Sequence, residues 1–106
     1  MQIHQFPPLA GEYALASTPV LEIDPASRVM AGLCRFGKGR RSPEAGMKAS
    51  AATEIGYVVR GRLRIETASA SHEAVAGDVL TSSPTEPHST TALEDSEIFF
   101  VLLDPR

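Results

Sequence analysis

An all-β fold, a sandwich or small barrel, is what this chain predicts, and three observations carry the prediction. Short runs rich in β-branched and aromatic residues recur along it, Gly, Pro, Ser and Asp break those runs at near-even intervals, and no stretch repeats apolar residues with a helical period. With 106 residues the chain supports one domain around a single core.

Residues 1–11 form an arm whose Pro7 and Pro8 suit extended backbone. Residues 12–24 give a weak strand interrupted at Pro19, and Asp24-Pro25-Ala26-Ser27 reads as a turn. The arm and this first strand, residues 1–27, precede the barrel proper, residues 28–106, within one domain overall. Residues 28–36 are a strand apolar on both faces, so both faces are expected to be covered. Residues 37–50 are the longest irregular stretch, and a loop of that length in a small domain is more often functional or mobile than a plain connection. A hairpin follows, with strands over 54–59 and 62–66 and a turn at Arg60-Gly61. Further short strands are expected over 72–75, 79–81, 88–92 and 97–103, separated by turns at Ala76-Gly77-Asp78 and Glu94-Asp95 and by a Ser/Pro/Thr loop.

Charge and composition exclude several function classes. A net charge of -3 and a pI near 5.5 argue against nucleic acid and against an anionic membrane as partner. No apolar run approaches the roughly 20 residues that cross a bilayer. The first residues, Met-Gln-Ile-His-Gln-Phe, lack the basic start and apolar core of a secretion signal. Cys34 has no partner for an intramolecular disulfide, which suits a reducing compartment and a cytoplasmic protein.

Glu54 is the anomaly of the hairpin. Residues two apart on a strand share a face, so Glu54 projects with Gly56 and Val58 into whatever the strand encloses. A carboxylate there is costly to desolvate unless something pairs with it, and Gly56 beside it is expected to leave space. A buried acid facing a hole points to a site.

Glu54, Gly61, Ala76-Gly77-Asp78 and His88 carry a family resemblance. Their order and spacing resemble the two motifs of the cupin superfamily, small jelly-roll barrels also described as double-stranded β-helices. The first motif supplies two histidines and a glutamate followed by a glycine; the second runs from a glycine to a histidine and then an asparagine. Gly77 to His88 keeps the second motif's length, with Ser83-Pro84-Thr85 where Pro-x-Gly would stand. The resemblance covers about residues 28–103 and implies a cupin-type jelly-roll barrel in a single domain. It also implies a divalent metal held by the two histidines, the glutamate and the second motif's histidine. This chain departs from that set: the two histidine positions fall at Lys48 and Ser50, and the asparagine position at Ala92. Glu54 and His88 alone remain, and two protein donors rarely hold a transition metal, so no cofactor is favoured, with a divalent metal as the alternative. His4 in the arm and His72 at a strand start offer no obvious replacement, and Glu44 joins only if the long loop folds inward.

Without a metal, Glu54 and His88 face one another across a largely apolar cavity. Desolvation favours the neutral acid and a neighbouring imidazolium favours the carboxylate, so the pair suits proton transfer next to a carbonyl, as in isomerisation, elimination or ring closure. The competing reading is a relic ion pair that only holds the barrel. Lys48, Ser50, Arg41 and Val58 are the candidate ligand contacts. Lys48 could supply the missing metal's positive charge to a carboxylate or carbonyl, although a lysine in such a loop is more often solvated, and the same ambiguity applies to Arg40 and Arg41. Arg62 and Arg64 alternate with Leu63 and Ile65 and should point outward, while Cys34 reads as a small buried hydrophobe.

The expected function is a small-molecule-binding cupin, either a metal-independent isomerase, lyase or cyclase or a non-catalytic ligand-sensing module; a metal-dependent cupin enzyme is the third reading. The hairpin resembles that of small cupins of uronate catabolism, which keep their histidines. If Glu54, Gly56 and Val58 face inward, then Ile55, Tyr57 and Val59 face outward and need cover, and a homodimer is the expected partner arrangement.

Overall fold

Period-two patterning becomes ten antiparallel strands in the computed structural model, which describes residues 1–5, 16–17, 21–24 and 26–104. They are β1 (Ala16–Ser17), β2 (Leu21–Asp24), β3 (Val29–Phe36), β4 (Arg41–Ser42), β5 (Thr53–Arg60), β6 (Arg62–Thr67), β7 (Ser71–Val75), β8 (Val79–Ser82), β9 (His88–Ala92) and β10 (Ser96–Leu103). Among the described residues the larger sheet runs β1-β3-β10-β5-β8, with β2 also on β3, and the smaller runs β4-β9-β6-β7. Phe36, Val58 and Ile98 from the first sheet pack with Leu63, Ala74 and Ala92 from the second, so the sheets close face to face as a jelly roll. Val58 and Leu63 are fully buried, and such side chains each contribute about 1.5–3 kcal/mol.

The hairpin is built as its residues dictate. Gly61, alone between β5 and β6, takes a φ of 96°, where a Cβ would be strained and would overlap Ser96 Oγ. That hydroxyl, with no exposed surface, accepts from the Arg62 N–H at 3.0 Å and donates to the Glu94 carbonyl at 2.8 Å. It ties the hairpin to the start of β10. The Gly-Asp turn is held similarly: Asp78 Oδ2 accepts from the Val75 N–H at 2.8 Å, and the turn backbone exchanges hydrogen bonds with Val58 at 2.9 and 3.0 Å. The turn is thereby fixed against the centre of β5.

Alternation on β5 follows expectation. Glu54, Gly56 and Val58 face inward, and Ile55, Tyr57 and Val59 stay exposed, with Tyr57 at 46%. Arg62 and Arg64 are exposed, Arg62 pairing with Glu73 at 3.0 Å. Gly56 borders a cavity beside Glu54, as expected, and a Cβ there would meet Ile98 Cγ2 at 3.4 Å and Leu80 Cβ at 3.7 Å, ordinary contact distances. One expectation needs correction. The 37–50 stretch is not wholly irregular, since Arg41 and Ser42 pair with Thr91 and Thr90 of β9. Pro7, Pro8 and Pro19 lie outside the described residues, and of the 12–24 strand only β1 and β2 fall within them.

Candidate functional site

Between the sheets lies a cavity in two lobes, of about 380 Å³ and about 250 Å³. Glu54, His88, Thr90 and Ile98 border both lobes, so they form the waist between them. Strand register explains who meets there. On β5, Glu54 sits between Leu102 of β10 and Ser82 of β8; on β9, His88 pairs with Thr67 and Thr90 with Ile65, both on β6. The acid thus comes from the large sheet and the imidazole from the small one.

His88 is held tightly. It exchanges two backbone hydrogen bonds with Lys48, at 3.0 and 3.1 Å, which ties the long loop to β9. Its Nδ1 lies 3.1 Å from the Glu86 carbonyl, which can only accept, so Nδ1 carries the proton there and Nε2 is the basic nitrogen of the neutral ring. Burial pushes the Glu54 carboxyl above the usual carboxylate range, and the nearby His88 pulls it partly back. Burial, and secondarily the charge of Glu54, push the Cys34 thiol up to about 12. Cys34 is therefore an inert part of the wall at neutral pH.

The other candidate contacts divide. Lys48 and Ser50 both border the larger lobe, and because Lys48 is also exposed it stands at the mouth. Arg41 borders neither lobe: its guanidinium donates to the carbonyls of Pro43 at 2.8 Å and Gly46 at 2.7 Å, bracing the loop that carries Lys48. Val58 lies in the packed core below the cavity and borders neither lobe. Glu44 is exposed and away from the walls.

Several wall residues escaped the sequence reading. His72 borders the smaller lobe, together with Ser82, Thr67 and Glu86. Its signal was available: in the β6–β7 register His72 faces Ile65, and Ala74 faces the fully buried Leu63, so His72 shares the inward parity. Thr90 follows from the same parity on β9, two residues after His88. Phe100 is less legible. It lies in register between Gly32 and Gly56, and its ring occupies the space above Gly32.

The donor set does not suit the divalent metal that the barrel type implies. Lys48 and Ser50 stand at two of the four ligand positions, and among the described residues no three His, Cys, Asp or Glu side chains converge on one point. What the arrangement offers instead is a carboxyl whose proton affinity burial raises, an imidazole and a mouth ammonium around a partly apolar chamber.

Comparison with known proteins bears on the fold and the family. A family profile described as "AraC-like ligand binding domain" matches residues 32–106. No curated protein matches the chain. Among solved structures, a cupin superfamily protein from Desulfitobacterium hafniense is 16% identical with a TM-score of 0.74, covering 92% of this chain and 84% of its own. A Cupin 2 conserved barrel domain protein from Salinispora arenicola is 20% identical with a TM-score of 0.72, covering 97% and 91%. KdgF from Halomonas sp. is 22% identical with a TM-score of 0.69, covering 85% and 80%. At these identities the likeness is one of fold.

Proposed function

The chain belongs to the family of AraC-like ligand binding domains, a small-molecule-binding cupin barrel, and on that premise we propose that its cavity holds a compact polar organic ligand against Glu54 and His88. One observation carries the reading: these two ionisable side chains border both lobes, so a molecule entering either one meets them. The desolvated Glu54 carboxyl keeps a proton to donate at pH values where an exposed glutamate has lost it. His88 Nε2 accepts, and Lys48 brings a cation to the mouth. No metal enters this reading, because two donors stand where the barrel type's cage has four.

A second reading, catalysis without a metal, is favoured by the opposed influences on Glu54. Burial and the imidazole push its proton affinity in opposite directions, which is the arrangement of a group that gives and takes a proton at a carbon next to a carbonyl. Isomerisation, elimination and ring closure all need that step. Thermal-shift and calorimetric screening of organic acids, sugar derivatives and cyclic ketones tests the binding reading. Hits should weaken in Glu54→Gln and His88→Ala while both variants stay folded, and hits indifferent to both variants would overturn it. Turnover of a hit, lost in both variants, would select catalysis over sensing. Near-stoichiometric Fe, Ni, Mn or Zn in protein purified without added metal would displace the metal-independent form.

We also propose that a second copy of the chain covers the exposed row of Ile55, Tyr57 and Val59, beside which Val79 of β8 is 62% exposed. Among the described residues no helix is long and apolar enough to cross a membrane. The lone Cys34 fits a reducing, cytoplasmic setting.

A further inference from the structure

Both lobes mix apolar and polar walls, but the groups that single each out differ, and the difference bears on what the ligand is. The larger lobe is walled by Phe36, Phe100, Leu102 and Cys34, joined by Ser42 and Ser50, with Lys48 at its mouth. Beyond the waist, the smaller lobe adds Thr67, His72, Ser82 and Glu86 to the shared Glu54 and His88, on a wall that also carries the apolar Ile65 and Leu80. Among the described residues no lysine or arginine borders that second lobe, and its carboxylates, imidazoles and hydroxyls suit a ligand hydroxyl, which can donate and accept at once.

Resting on the reading that a ligand sits against Glu54 and His88, we infer that this ligand is an amphipathic hydroxylated organic acid lying through the waist. Its carboxylate meets the Lys48 ammonium at the mouth. Its apolar body, a ring or a short branched chain, fills the space between Phe36, Phe100 and Leu102. Its hydroxyl passes Glu54, His88 and Thr90 to reach Ser82 and His72. A larger lobe of about 380 Å³ is within the range of small-ligand pockets and has room for one ring and a short acid chain. A sugar acid would place hydroxyls against the aromatic wall and leave them unpaired there, while a plain aryl acid would leave the polar groups of the second lobe to water alone.

Calorimetric titration of the full chain with three probes tests this. The probes are 3-(4-hydroxyphenyl)propionate, 3-phenylpropionate, which lacks the hydroxyl, and gluconate, which lacks the apolar body. The hydroxylated aryl acid should bind about fivefold tighter than 3-phenylpropionate, the worth of one added hydrogen bond, and gluconate should be the weakest of the three. Ser82→Ala and His72→Ala should each reduce the preference for the hydroxyl without changing the affinity for 3-phenylpropionate, and Lys48→Met should weaken both aryl acids by about tenfold. All these positions are at least partly exposed, so the variants should keep their fold, which circular dichroism checks. Equal affinity for the two aryl acids, tighter binding of gluconate, or no binding of either aryl acid would overturn the inference. Glu54→Gln separates it from the underlying reading. If that variant weakens the aryl acids while hydroxyl discrimination is absent, only the two-lobe assignment falls; if aryl acids bind and discriminate in full without Glu54 and His88, the underlying reading falls instead.

Discussion

The ring of Phe100 lies directly over the α-carbon of Gly32, its antiparallel partner on β3, in the space a Cβ would fill. Gly32→Ala should therefore push the ring off its seat at a cost of about 1–3 kcal/mol, read by urea denaturation. Phe100→Leu combined with Gly32→Ala should cost less than the sum of the two single changes. Strict additivity would mean that the pair does not interact.

Ser96 should prove as important as any apolar core residue of its size. Removing its buried hydroxyl in Ser96→Ala leaves the Arg62 N–H and the Glu94 carbonyl without their partner, a loss of about 1–3 kcal/mol. Amide exchange at Arg62 should accelerate relative to Leu63. An unchanged exchange rate at Arg62 would contradict the hydrogen bond.

Glu54 should make stability fall as pH rises. Burial holds its native proton affinity above the ordinary value of 4.5, so the folded chain keeps a proton that the unfolded chain has released. The resulting stabilisation is full below about 4.5 and is lost as pH climbs through the native value. Glu54→Gln should flatten that dependence and raise the melting temperature at pH 8 relative to the parent. A parent whose stability increases through this window, with the increase removed by Glu54→Gln, would reverse the sign.

Cys34 should resist alkylation. With its thiol pushed from 9.0 up to about 12, the thiolate population at neutral pH is about a thousandfold below that of an unperturbed thiol. Iodoacetamide should label native protein slowly and urea-unfolded protein quickly, and comparable rates would show that the pocket wall is not desolvated.

Association should follow the exposed outer row. Sedimentation at micromolar concentration should give twice the 11.3 kDa chain mass, and Tyr57→Glu should return the protein to single chains. A monomeric parent would remove the proposed second copy.

Local patterning made the strands legible. The run around Gly61 gave the hairpin almost to its observed ends, and parity alone placed Glu54 and Val58 inside and Tyr57 outside. The Gly77-Asp78 turn and His88 were readable for the same reason, since short-range spacing fixes where a turn stops and which face a side chain takes. What escaped depends on partners far along the chain. Whether Arg41 reaches the cavity is decided by two carbonyls of its own loop. His72 needs the β6–β7 register before its side can be assigned, and the role of Ser96 depends on Gly61, a residue far back along the chain that packs against its hydroxyl.

The paired backbone hydrogen bonds between Lys48 and His88 fasten the cavity's entrance to its interior. A shift of the lysine's backbone would pass across that bridge to the first residue of β9, the one that bears the imidazole.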